Sequence, residues 1–237
     1  MRGRTAPRGG LSSRRVHLSP VVTELTTGAT DALLALLAAG GVRWIRRRPG
    51  LAPARAGAWS LVFLLLAGAS ALGAIAHGLD LPARARALLW HPLYLLLGLL
   101  VAAFLVAAIH DLGGERAARR ARWPLLGAGV AFYASAQLLG GAFVVFVAYE
   151  AAAMLSALAI YLALAARRRR PGAGVVAAGI LLNLAAAGVQ ASTLAVDVGV
   201  PLDHNGLFHV VQAVAVIVML AGIGGPRTPD TLAAPSP

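Results

Sequence analysis

Eleven side chains in this sequence have the types and spacing to build a chemical site: Glu24, Asp31, His77, Asp80, Glu150, Gln190, Asp203, His204, Asn205, His209 and Gln212. Neutral imidazoles ligate metals and titrate near physiological pH, while carboxylates act as general bases or as counter-charges. Helical periodicity sorts these groups into stripes, because residues three, four and seven apart share a face. Glu24, Thr27 and Asp31 form one stripe, and Ser70, Gly73, His77 and Asp80 another. His91, Tyr94 and Gly98 follow, then Tyr133 with Gln137. Asn183, Gln190 and Asp197 stand at heptad spacing. The run Asp203-His204-Asn205-Gly206-Leu207-Phe208-His209-Val210-Val211-Gln212 puts Asn205, His209 and Gln212 on one face and His204 off it. Asn205 reads as the N-cap of that last helix.

What must position these groups is a set of very apolar segments. The 237 residues are 59% hydrophobic and 13% charged, with mean hydropathy +0.76. A soluble domain carries roughly 25% charged residues, so this chain has too little polar surface for an aqueous fold. Lipid is the expected solvent. Seven stretches approach the ~20 apolar residues that a ~30 Å hydrocarbon core requires: roughly 22–45, 57–78, 88–110, 123–140, 141–166, 172–194 and 206–224. The fourth and fifth run together in hydropathy and are divided at Gly140-Gly141. Each must be helical, since unpaired backbone groups are costly in lipid. Trp44, Trp59, Trp90 and Trp123 all fall at segment ends, where indoles favour the membrane interface.

The net charge of +12 is carried by arginine alone. Its arginines lie in short runs between apolar segments, as topology signals do, rather than in a patch built for phosphates, so nucleic acid is not an expected partner. Arg43, Arg46 to Arg48 and Arg55 follow the first segment; Arg116, Arg119, Arg120 and Arg122 the third; Arg167 to Arg170 the fifth. The opposite loops hold only Arg84 and Arg86 outside the N-terminal arm. The expected fold is therefore an all-α polytopic bundle of seven transmembrane helices, N-terminus outside and C-terminus cytoplasmic, in a bacterial inner membrane. Residues 1–20 read as a disordered basic arm, with Val16, Val21 and Val22 as alternative starts. Residues 21–225 form the bundle and 226–237 a disordered tail. The run Leu33–Gly41 has the length of a signal-peptide core, but Arg46-Arg47-Arg48 after it favours a retained helix.

With that topology, Glu24, His77, Asp80, His91, Gln190, Asp197, Asp203, His204 and His209 gather near the extracytoplasmic face. Asp31 lies about two turns deeper and Glu150 nearer mid-membrane. An ionisable group inside a span costs a few kcal/mol and faces the bundle interior or a wet cavity. Polar residues at helix ends also belong at the interface with no further role, which suits His91 between Trp90 and Pro92. The glycine-rich faces suit close helix packing. The absence of Cys excludes disulfides, thiolate zinc sites and cysteine nucleophiles.

The last-helix motif resembles that of the superfamily of alkaline ceramidases, Per1-type proteins and the progestin and adipoQ receptors. Those are seven-span proteins, several of them zinc-dependent hydrolases of lipid amides. Their last helix carries Asp-x-His-x-x-x-His, matched here by Asp203, Asn205 and His209, with Asn in place of the first His. Their second helix carries Ser-x-x-x-His, matched by Gly73 and His77; their third-helix Asp has no counterpart. The chain is also similar to uncharacterised bacterial seven-span proteins with an Asp/Asn-His-Asn-x-x-x-His motif followed by Val-Val-Gln.

Two functions follow as expectations. The first is a binding protein or receptor using the cluster for a lipid, another small ligand, a proton or a metal, with a purely structural role for the polar stripes as its plain counterpart. The alternative is a zinc-dependent hydrolase of lipid amides or esters. In it His77, His209 and His204 would be the metal ligands, Asp80 or Asp203 would orient them, and Glu24 or Asp31 would be the base.

Overall fold

The computed structural model describes residues 17–139 and 143–225. Most of the expected arm (1–16), the Gly140-Gly141 division and the tail from 226 lie outside the described residues. Six helices are long and apolar enough to cross a membrane: α1 (Val22–Arg47), α2 (Pro53–Gly78), α3 (Ala83–Leu138), α4 (Phe143–Ala166), α5 (Ala173–Gln190) and α6 (His204–Gly224). Their outward faces display large apolar side chains such as Leu33, Leu36, Leu64, Leu155, Leu162 and Ile217. An apolar belt of that extent suits hydrocarbon and not water. This is a multi-pass membrane protein.

Helix α3 has 56 residues, roughly 84 Å if straight at 1.5 Å per residue, far beyond a bilayer. It is not straight. Gly114 breaks it, at φ 72° and ψ −171°, a conformation that favours a residue without Cβ. The arms on either side, 83–113 and 115–138, then pack against each other. A Cβ on Gly98 would collide with the Gly129 carbonyl oxygen, so the two backbones touch there. Tyr94 and Phe132, one turn further from the break in each arm, have ring centroids 6.4 Å apart. Partners that retreat equally from Gly114 define an antiparallel hairpin.

Each helix packs on its neighbours in sequence, and α6 closes on α1. The result is a ring of helices around a shared interior. Its dense part is built by Leu34, Ile45, Trp59, Phe63, Phe104, Tyr161, Ile180 and Ile223. Trp59 is fully buried there and is no interface anchor, because the helix carries it inward beneath Arg55. Trp123, 69% exposed, does lie on the surface.

Two local features order the loops at the end of the bundle opposite the arginine clusters. His17, Leu18 and Ser19, placed in the disordered arm by composition, pair with the end of α2. Leu18 bridges Leu79, the Ser19 amide donates to the Gly78 carbonyl, and the Asp80 amide donates to the His17 carbonyl. The sixth apolar segment, expected to reach 194, ends as helix at Gln190. A short hairpin of β1 (Val196–Asp197) and β2 (Pro201–Leu202) follows, and Asp197 leaves the stripe of Asn183 and Gln190.

Candidate functional site

Helix α1 turns Thr27, Thr30 and Asp31 toward the start of α6, and the two helices are joined there through side chains. Asp203, not Asn205, caps α6: its Oδ1 accepts from the Asn205 and Gly206 amides at 3.0 and 2.9 Å. The aspartate is favoured because Asn205 already lies within the first helical turn. The same oxygen accepts from the Thr27 hydroxyl at 3.1 Å, locking the cap to α1.

One turn inside α6, His209 Nε2 lies 3.3 Å from Asp31 Oδ1, and both residues are buried. His209 Nδ1 lies 3.2 Å from the Thr30 hydroxyl, which itself donates to the Thr27 carbonyl at 2.9 Å. With that hydroxyl proton committed, Nδ1 is the donor, and Nε2 faces Asp31 with its lone pair. The Asp31 carboxyl and the His209 ring thus face each other as a buried acid–imidazole pair.

A second histidine–carboxylate pair stands nearer the surface. His77 Nδ1 lies 2.7 Å from Glu24 Oε2, and the His77 ring meets Trp90 edge-on at 5.7 Å. Both members are partly exposed, with side-chain exposures of 19% and 35%.

Between the pairs and the middle of the bundle runs a cavity of about 400 Å³. Its rim is hydrogen-bonding: His77, Trp90, Gln190 and Asn205 are part-exposed there, with Asp31 and His209 beneath them. Its floor is apolar, formed by Phe63, Leu66, Phe104, Val216 and Met219. On one wall Glu150, 6% exposed, accepts from Asn183 Nδ2 at 3.3 Å, while Asn183 Oδ1 accepts from Gln212 Nε2 at 3.3 Å.

Of the eleven residues singled out from sequence, Asp31, His77, Glu150, Gln190, Asn205, His209 and Gln212 line this one cavity. Glu24 reaches it through His77, and Asp203 shapes it as the cap of α6. Asp80 is exposed beside the Leu18–Leu79 bridge, and His204 begins α6 without joining the cavity wall. His91, exposed, stays at the interface.

A three-histidine zinc site does not fit this geometry. His204 is off the wall that carries His77 and His209, and among the described residues no three His, Cys, Asp or Glu side chains gather as a metal-holding group. Asn205, where the resembling superfamily has a histidine, is a weak zinc ligand. Position 73 has no room for a serine hydroxyl, because a Cβ there would stand 2.5 Å from Asp31 Oδ2. Asp31 holds the space.

Comparison with known families decides the kinship. A family model described as a family of unknown function, DUF6962, matches residues 26–228. The chain belongs to DUF6962. The match spans every described helix of this DUF6962 member save the first turn of α1. No curated protein and no solved structure matches it.

Sequence reasoning missed a second polar cluster, at the arginine-rich end of the bundle. Asp111, buried in α3, accepts from Arg55 Nε and Nη2 at 2.6 and 3.0 Å, from the Tyr161 hydroxyl at 2.8 Å and from Trp59 Nε1 at 3.4 Å. Arg55 Nη1 also donates to the Ile223 carbonyl in the last turn of α6, at 2.7 Å, and Arg170 lies 3.5 Å from Asp111. Three helices meet on one carboxylate, and Arg55 ties a fourth, α6, to it. Charge counting assigns Arg55 and Arg170 to topology alone. The available signal was Asp111 itself, an acid set among the arginines of that side.

Proposed function

We propose that this DUF6962 member crosses a bacterial inner membrane seven times and binds a small, partly apolar molecule in its central cavity, reached from the extracytoplasmic side. The seven-span reading is supported by the Gly114 hairpin, whose arms of 83–113 and 115–138 are each long enough to cross. With the arginine clusters cytoplasmic, the N-terminus is outside and the C-terminus inside.

The observation that carries the binding reading is the division of one cavity into two chemistries. A volume of about 400 Å³ lies within the range of small-molecule pockets. An apolar floor under a hydrogen-bonding rim is the arrangement that orients an amphipathic ligand. If the polar stripes served only to join helices, they would be consumed by one another; here His77, Asn205, Gln190 and Glu150 border open space. The histidine–carboxylate pairs can also exchange protons with an occupant or with water.

The test is saturable binding. Full-length protein in lipid nanodiscs is titrated with short-chain amphiphiles bearing neutral, anionic and cationic heads, using thermal stabilisation as readout and empty nanodiscs as the control for partitioning. A second series uses Ala69→Phe, which places a ring in the cavity wall. Saturable stabilisation of the wild type that weakens in Ala69→Phe is expected. Failure of every head group to stabilise the wild type would sink the binding reading.

A further inference from the structure

Resting on the cavity being a binding site, we infer that its occupant carries a positively charged amine, held by Glu150 at the level of Asn183 and Gln212, with its apolar part on the cavity floor. The inference begins with which groups surround the carboxyl. Asn183 turns its Nδ2–H toward Glu150 Oε1, and its own oxygen is occupied by the Gln212 amide. The whole relay therefore points donors at Glu150. The hydrogen-bond partner that Asn183 offers Glu150 is thus an N–H donor, the kind of partner an ionised carboxylate takes.

An ionised carboxylate that is 6% exposed needs a counter-charge, because a lone buried charge is costly. The protein does not supply one. Among the described residues no arginine lines the cavity and Glu150 forms no salt bridge, and the sequence contains no lysine. The two imidazoles that line the cavity are already taken: His209 faces Asp31 and His77 faces Glu24. Asp31 has its histidine, and Glu150 has only an amide. A cation with N–H donors completes the site from the cavity side, where Phe146, four residues before Glu150 on α4, also lines the wall.

The floor sets the rest of the molecule. From Gln212, which closes the relay, to Met219, which lies on the floor, is seven residues of α6, roughly 10 Å at 1.5 Å per residue. The apolar walls over that distance suit an unbranched alkyl chain or an aryl group and offer nothing to a second charged end.

Octylamine, 1-octanol and octanoic acid differ only in the head group and separate the possibilities. Each is titrated into full-length protein in nanodiscs at pH 7, with empty nanodiscs as the control. Octylamine is expected to bind at least tenfold more tightly than octanol, and octanoate most weakly. Glu150→Gln should erase the advantage of the amine over octanol, and Glu150→Asp should retain most of it. The wild-type ratio alone tests the inference should Glu150→Gln fail to fold. Equal, saturable binding of amine and alcohol would overturn the cationic assignment and leave the cavity as a binding site. Retention of the amine preference in Glu150→Gln would likewise overturn it. Absence of saturable binding by all three would overturn both readings together.

Discussion

Asp31 Oδ2 occupies the space that a side chain at position 73 would need, only 2.5 Å from where a Cβ on Gly73 would stand. The glycine and the carboxylate are thus one feature. Gly73 lets α1 bring Asp31 against α2, and that placement aims Asp31 at His209. Over-packing a tight contact costs about 1–3 kcal/mol, so Gly73→Ala is expected to lower stability by that order. The cost should shrink when Asp31→Ala is added, because the two substitutions act on the same volume. Thermal melting of the four proteins in one detergent gives the cycle. Additive losses would show that the contact is not made.

The absence of cysteine makes topology directly measurable. Single cysteines are introduced at four exposed positions, as Asp80→Cys, Arg120→Cys, Arg169→Cys and Asp197→Cys. In intact spheroplasts, a membrane-impermeant maleimide should label the first and last and reach Arg120→Cys and Arg169→Cys only after lysis. Labelling of Arg120→Cys from outside would mean that the arms of α3 do not both cross, and the seven-span reading would fall.

How far the sequence carried depended on which force set each feature. Segment positions were legible because hydrocarbon imposes length and apolarity directly: the expected 22–45 and 206–224 became Val22–Arg47 and His204–Gly224. Convergence of Asp31, His77, His209 and Glu150 was legible because helical period and topology together place side chains by face and depth. Pairings were not, since they depend on rotamers and helix rotation. Nothing in the spacing shows that His77 would choose Glu24, or that Asp31 would take the room at Gly73. The Asp111 cluster was hidden for another reason. Charge counting treats every arginine near a helix end as solvated, and Arg55, at 8% exposure, is not.

The cap of α6 offers a sharper local test. Asp203 receives two backbone amides and the Thr27 hydroxyl, while Asn205 contributes its amide to that cap and its side chain to the cavity. Losing such a cap typically costs about 1 kcal/mol. Asp203→Ala should therefore lower stability by that order and speed hydrogen exchange at the Asn205 and Gly206 amides. Asn205→Ala should leave exchange at Gly206 unchanged. The reverse pattern, with Asn205→Ala the damaging change, would restore Asn205 as the cap.

The Asp111 cluster separates stability from binding. Its carboxylate has a side-chain exposure of 0% and faces Arg55 at 9%. Removing one partner of a buried pair strands the other charge and costs about 3–5 kcal/mol, whereas replacing both with apolar groups of similar volume is often close to neutral. Asp111→Leu should accordingly lower the melting temperature strongly. Adding Arg55→Met should recover much of the loss, although Arg55 Nη1 also leaves the Ile223 carbonyl. Neither residue lines the central cavity, so ligand affinity in the folded double variant should match the wild type. A double variant no more stable than Asp111→Leu alone would show that Tyr161, Trp59 and Arg170, rather than the Arg55 charge, make Asp111 indispensable. Altered affinity in that variant would instead show that the arginine-rich end is coupled to the cavity.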